Sequence, residues 1–284
     1  VGFGSKIPIV IALAMHQAMY ENPSVEKNIE FLKNKVDFIS PQFVEGKAKA
    51  AEPEEILDFV LKKFGVSQTR VGKKVLITAG PTIEYIDPVR VITNQSTGRT
   101  GVLLASEFAS AGSKVTLIYG PGTEYPPKGV KVIRVETSNE MRNALKKEMK
   151  QKFDVVILAA AASDYTLQNP SKTKIKSNLS RLDLKLKKSP KMIDEVKKIQ
   201  KDVLLVGFKA ETDVSKQALI ESAKKKIRES KADIIIANDI GKRYKKDPSK
   251  NNVIIVDTKK STESGWKDKS KIVKFIRNNI EKRL

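Results

Sequence analysis

From residue 74 onward, apolar runs of strand length alternate with amphipathic runs of helix length, and that alternation limits the fold more than any other feature of the chain. The runs predict strands at 74–78, 114–119, 131–134, 154–159, 203–208, 233–237 and 253–257, and helices at 98–111, 138–151, 190–200, 214–230 and 267–282. Strands joined through helices pair in parallel and carry helices on both faces. The expected fold is α/β, a Rossmann-like sheet whose ligands sit at the carboxyl ends of the strands.

Residues 1–65 read as a smaller α/β piece, with strands at 7–14 and 36–40 and helices at 22–34 and 53–63, Pro53 opening the last. Two strands and two helices cannot close a doubly wound sheet, and the chain opens at Val1, so the expectation is that an N-terminal portion precedes it. Residues 66–72 are polar and read as a linker to a second domain over 73–284.

Composition removes several classes of function. No apolar run approaches the roughly 18 residues of a membrane helix, which leaves the cytosol as the default location. With no cysteine and one histidine, thiolate catalysis and the usual zinc ligand sets are excluded, so any cysteine in the chemistry is a substrate. The formal net charge of +21 draws anions, although most of the lysines read as a solvated surface. Aromatics are 6% of the residues and no helix-turn-helix or RNP-type sequence occurs, so nothing points to a specific nucleic acid.

The most informative stretch is 74–101. An apolar strand ends at Gly80 and Pro81, and Ser96-Thr97-Gly98 precede an amphipathic helix, so free N–H groups and the positive end of a helix dipole face the loop. Arg90 and Asn94 lie between these elements. Arg90 offers a fork of donors to a carboxylate or phosphate, or else an ordinary ion pair; Asn94 offers an amide that both donates and accepts, or else an Asx turn.

This segment resembles the signature of the phosphopantothenate-cysteine ligase half of the bifunctional coenzyme A biosynthesis proteins. The likeness continues through Ala159-Ala160-Ala161-Ala162-Ser163-Asp164-Tyr165, Lys174-Ile175-Lys176, Val206-Gly207-Phe208-Lys209-Ala210-Glu211-Thr212 and Ile236-Ala237-Asn238-Asp239, in the family's order. Five elements over roughly two thirds of the chain make the signal specific. Upstream, Met15, His16 and Met19 fall where the flavin-dependent decarboxylases of the same bifunctional proteins have a Met-Asn-x-x-Met loop. Here His16 replaces the family's Asn, and residues 44–50 replace its Cys-containing flap.

The resemblance implies that the phosphopantothenate carboxylate attacks the α-phosphate of a nucleoside triphosphate and that the amine of cysteine then displaces the nucleotide. It implies CTP, with ATP as the alternative, and Mg²⁺; FMN enters only with a complete decarboxylase half, so this chain alone is expected not to decarboxylate. Asn94, Lys174 and Arg90 become the catalytic candidates. Gly80, Thr82, Ser96, Thr97, Gly98, Ala160, Ala161, Asp164, Lys176, Phe208, Lys226 and Asn238 become the nucleotide and substrate contacts, with Asp164 also a metal candidate. Where the family has a second lysine four residues after Lys226, this chain has Ser230. Residues 243–252 fall where the family has a loop that crosses a dimer interface and closes on substrate, and a homodimer is expected, or a higher oligomer with a complete decarboxylase half.

Two rival readings follow from the residues. A dinucleotide oxidoreductase is disfavoured because the loop reads Ala-Gly-Pro-Thr and the strand at 114–119 ends in Tyr119-Gly120-Pro121, where a ribose-binding acid belongs. A non-catalytic polyanion or nucleic-acid binder rests on charge alone.

Overall fold

The computed structural model describes residues 7–44, 47–63, 72–178 and 180–284. The chain divides into two units, Val1–Thr69 and Arg70–Leu284. Apart from Gly72, the expected linker lies outside the described residues.

In the first unit, strands Val10–Ala12 and Asp37–Ile39 pair in parallel. Helix Pro23–Leu32 lies between them; it starts with proline in its first turn and Asn22 accepting from the Ser24 N–H, both helix-opening devices. Three short strands that the sequence pattern does not announce, Met15–His16, Gln42–Val44 and Lys47–Lys49, form an antiparallel sheet. Helix Pro53–Lys63 follows, and Lys63 pairs with Asp37 at 2.8 Å.

The second unit is built on eight strands: β1 (Lys74–Ala79), β2 (Lys114–Tyr119), β3 (Lys131–Arg134), β4 (Val155–Leu158), β5 (Leu204–Glu211), β6 (Ile234–Asp239), β7 (Val253–Val256) and β8 (Ser261–Glu263). Helices α1 (Arg99–Ser110), α2 (Ser138–Glu148), α3 (Ile193–Ile199), α4 (Lys216–Ser230) and α5 (Lys269–Glu281) cover its faces. The order across the sheet is β3-β2-β1-β4-β5-β6-β7-β8. The strands from β3 to β6 in this order are mutually parallel, β7 is antiparallel to β6, and β8 is antiparallel to β7. After β3 the chain crosses to the far side of β1 to add β4, so β1 and β4 flank the point where strand order reverses.

Strand periodicity divides the core between the two faces. Val75, Ile77 and Ala79 of β1 and Ile234 and Ile236 of β6 face α1 and α5, where they meet Phe108 and Ile276. The alternate residues Leu76 and Ile235 face α2, α3 and α4, with Met141, Val196 and Ala223. Each such buried aliphatic side chain contributes roughly 1.5–3 kcal/mol, and the shared core holds the strand ends in fixed relation.

Several expected elements differ in extent. The helix expected over 138–151 ends at Glu148 and tightens into a 3-10 turn, Met149–Gln151, before Lys152 takes a positive φ of 54°. β5 runs on past Phe208 to Glu211 because its backbone keeps pairing with β6 as far as Asp239. Antiparallel ribbons the alternation did not predict, Ile83–Tyr85 with Val91–Thr93 and Tyr165–Leu167 with Leu186–Lys188, project from the carboxyl ends of β1 and β4. Their strands are three residues long, too short for a hydrophobic period.

Candidate active site

The carboxyl ends of β1 and β4 continue side by side beyond the sheet: Ala159 N–H donates to the Thr78 carbonyl at 3.1 Å and Ala161 N–H to the Gly80 carbonyl at 2.9 Å. Gly80 has φ +80°, which turns the chain out of β1. The first turn of α1 then packs onto the end of β1, and a Cβ on Gly101 would stand 2.3 Å from that of Ala79. The Ser96 hydroxyl accepts from Gly98 N–H and the Thr97 hydroxyl from Arg99 N–H, both at 3.3 Å. The N-terminus of a twelve-residue helix is thereby aimed into the cleft at the switch point.

The alanine run 159–162 is the wall between two cavities. Ala159 faces a cavity of about 710 Å³ between the loop 95–101 and the segment 244–249. On its rim Lys269 is 8% exposed, and its ammonium donates to the Tyr244 hydroxyl at 2.8 Å. Ala160 faces a second cavity of about 300 Å³, lined by Asp164, Phe208, Lys209 and Lys226. Lys226 reaches toward Asp194 at 3.8 Å, and Lys209 pairs with Glu211 at 3.0 Å. Ser230 is not a second contact, because its hydroxyl turns back to the Lys226 carbonyl at 2.7 Å. A further cavity of about 550 Å³ lies at the amino ends of the strands. Its Lys73, Lys197 and Arg283 are engaged by Asp154, Asp233 and Asp257, and the helix ends that line it are the C-terminal ends of α3 and α5, which do not favour an anion.

Asn94 bridges onto the wall from above, its side-chain amide donating to the Ala161 and Ala162 carbonyls at 3.1 and 3.2 Å. Both N–H groups are thus spent on protein acceptors in this conformation, and the Oδ1 acceptor is left without a donor among the described residues. Asn94 is exposed at the seam between the cavities.

Arg90 takes the ion-pair alternative: its Nη1 donates to Asp87 at 2.6 Å and to the Ile175 carbonyl at 3.2 Å. Asp87 is fully buried. Burial alone would raise its pKa, but the N–H groups of Val89, Ile175 and Arg90 and the Arg90 charge prevail and hold it at about 2. Lys174 and Lys176 flank Ile175 and are exposed; they line neither of the two cavities.

Two other expected contacts face inward. Thr82 is fully buried, its hydroxyl 2.8 Å from that of Ser138 and accepting from Ser163 N–H at 2.9 Å, so it anchors the end of the alanine run. Asn238 is buried in β6 between Ala210 of β5 and Val253 of β7. In the first unit, Met15 and His16 form a short strand paired with residues 47–49, and Met19 is exposed. Tyr119 fills the place at the end of β2 where a dinucleotide sheet holds its acid; its hydroxyl donates to the Glu124 carbonyl at 2.8 Å. Sequence reasoning missed Glu84, Asp87 and Lys209. Only Lys209 left a signal, since it lies within the motif element 206–212.

Both units of the chain match known families. The family model of the DNA/pantothenate metabolism flavoprotein C-terminal domain matches residues 70–284, and a flavoprotein model matches residues 1–65. The chain is 48% identical over 235 residues to the bifunctional coenzyme A biosynthesis protein CoaBC of Thermococcus kodakarensis, covering 82% of this chain and 58% of that protein. It is 41% identical over 244 residues to that of Methanocaldococcus jannaschii, covering 85% and 59%. The chain therefore spans less than two thirds of the length of these relatives. Among solved structures, the DNA/pantothenate metabolism flavoprotein of Streptococcus pneumoniae superposes with a TM-score of 0.67 at 28% identity, over 75% of this chain and all of that one. The cleft at the switch point thus lies within the part of the chain matched by a named family model, and the chain belongs to the DNA/pantothenate metabolism flavoprotein family, that of the bifunctional coenzyme A biosynthesis proteins.

Proposed function

We propose that the second unit joins phosphopantothenate to cysteine through an acyl-nucleotide. One carboxylate oxygen attacks the α-phosphorus of a nucleoside triphosphate, and the bond to pyrophosphate breaks. The amine of cysteine then attacks the acyl carbon, loses a proton and displaces the nucleoside monophosphate. The observation that carries this reading is the alanine wall, with a helix N-terminus on one side, an aromatic ring and lysines on the other, and Asn94 across the seam. A reaction that couples an anionic acid to a nucleotide requires two such compartments meeting at one point.

The residues take roles that follow from their chemistry. The α1 N-terminus, with Ser96, Thr97 and Gly98, binds a phosphate group. Phe208 offers a face to the base, with Lys226 and Lys209 beside it. Ala160 and Ala161 have no bulk to keep a flat ligand from the backbone. Asn94 Oδ1 accepts from the attacking amine and orients its lone pair. To Lys174 and Lys176, exposed outside both cavities in this conformation, we assign the neutralising of charge on the phosphates as pyrophosphate leaves. Asp164 is exposed at the second cavity, with no ion-pair partner among the described residues. A single carboxylate fits Mg²⁺, which is held largely by the phosphates of the nucleotide and would supply further charge neutralisation there.

CTP is the nucleotide we favour. Decarboxylation with FMN we assign only to a complete decarboxylase half, through the region of Met15, His16 and Met19. A homodimer through the second unit is supported by exposed Tyr165, Leu182, Leu184 and Leu186 on the ribbon beside the site.

The deciding experiment is pyrophosphate release from phosphopantothenate and Mg²⁺ with CTP or ATP, each with and without cysteine. Release with CTP that cysteine accelerates supports the reading. Release with ATP alone keeps ligation and replaces the nucleotide, and release with neither rejects it.

A further inference from the structure

Asp87 lies outside both cavities and uses both carboxylate oxygens within the protein. Oδ1 accepts from the N–H groups of Val89 and Arg90 at 2.8 and 2.9 Å. Oδ2 accepts from Arg90 Nη1 at 2.6 Å and from Ile175 N–H, 88 residues away in the chain, at 3.1 Å. Arg90 closes the ring by donating to the Ile175 carbonyl at 3.2 Å, and Ser171 N–H donates to the Ile86 carbonyl at 2.9 Å. A rigid turn on one ribbon thus grips an extended segment of the other, and the gripped residue stands between Lys174 and Lys176.

We propose that Asp87 is a positioning residue for ligation: acting with Arg90 on the backbone of Ile175, it fixes the segment that presents Lys174 and Lys176 to the phosphates of the nucleotide. The inference rests on the ligase reading and assigns Asp87 no contact with substrate. Lysine side chains are long and rotamer-rich, so the placement of their ammonium groups depends on how firmly the backbone beneath them is held. Asparagine cannot replace Asp87, because its amide nitrogen has no lone pair for either the Ile175 N–H or the turn. Lysine at residue 90 keeps the charge but not the fixed donor directions of the guanidinium, through which Nη1 reaches both Asp87 Oδ2 and the Ile175 carbonyl.

The test is a cycle of Asp87→Asn, Lys174→Ala and the double variant, read by single-turnover pyrophosphate release and by amide hydrogen exchange at Ile175. Positioning predicts that Asp87→Asn slows release by roughly tenfold or more, with faster exchange at Ile175 and unchanged protection in β1 and β4. It further predicts that the double variant is no slower than Lys174→Ala alone, because a misplaced lysine and a missing one cost the same interaction. Multiplying losses in the double variant would mean that Asp87 acts independently of Lys174, which overturns the proposal. If Asp87→Asn does not fold, Arg90→Lys enters the same cycle with the same two outcomes. A folded native chain that releases no pyrophosphate rejects the ligase reading and this proposal together, whereas multiplying losses in an active chain reject the proposal alone.

Discussion

Gly98 rests against Tyr119: a Cβ at residue 98 would stand 2.7 Å from Cε2 of the tyrosine ring, and the backbone of Gly98 has φ +84°. The ring is anchored through its hydroxyl to the carbonyls of Glu124 and Thr97. β2 therefore sets where α1 begins, and α1 begins at the cleft. The shape of the phosphate loop is thus decided by a side chain from the neighbouring strand.

Gly98→Ala introduces both a steric conflict and a left-handed backbone that alanine resists. The expected result is a loss of about 1–3 kcal/mol of stability, with weaker phosphate binding. Urea unfolding measures the first, and phosphopantothenate protection against unfolding measures the second.

Asp87 makes stability depend on pH in the acid range. Its pKa falls from an ordinary 3.8 to about 2 on folding, so its contribution is complete above pH 3.8 and is lost as pH falls toward 2. Glu211, Asp257 and Glu263 also have lowered values, so the native chain loses stability in acid through several groups. The difference between the native protein and Asp87→Asn isolates the one. That difference is expected to be constant from neutrality to about pH 4 and to shrink below it, read as Tm by calorimetry; a constant difference down to pH 2 would remove Asp87 from the account.

Glu84 is buried and accepts from the N–H and hydroxyl of Ser138 at 3.1 and 2.6 Å and from the Thr166 hydroxyl at 2.6 Å. Its charge lies at the start of α2, where the helix dipole favours it. Glu84→Gln keeps an acceptor for Ser138, and the Thr166 hydroxyl can rotate to accept, so a cost near 1 kcal/mol is expected. Glu84→Leu leaves the Ser138 N–H unsatisfied, and about 2–4 kcal/mol is expected. Equal costs in chemical denaturation would contradict this account.

Lys226 and Lys209 test the base pocket. Lys226→Ala is expected to raise KM for the nucleotide by roughly fivefold or more with kcat little changed, the pattern of lost uniform binding. Lys209→Ala is expected to do less, because Glu211 already holds that ammonium at 3.0 Å. A fall in kcat with unchanged KM would move Lys226 from binding to chemistry.

Leu184→Asp addresses the exposed leucines. If they cover a second copy, the variant sediments as a monomer at concentrations where the native chain is a dimer. A native monomer would leave the apolar stripe without that explanation.

The sequence by itself determined helices α1 to α5 and every strand of the sheet except β8, because the residues that bury them repeat at the strand and helix periods over long runs. Strands 114–119 and 131–134 are found at their expected limits. The glycine turn, Asn94 and Phe208 were singled out by motif chemistry and resemblance, and all three lie at the carboxyl side of the sheet. The tertiary structure decided which polar side chains meet. Arg90 reads as a ligand fork or an ordinary ion pair until the Ile175 carbonyl arrives from 85 residues away beside the local Asp87, Thr82 reads as a contact before Ser138 and Ser163 are seen to enclose it, and Glu84 has no local signal at all. Hydrogen bonds between residues some 50 to 90 positions apart leave no period in the chain. They exist only once the core has brought the strand ends together.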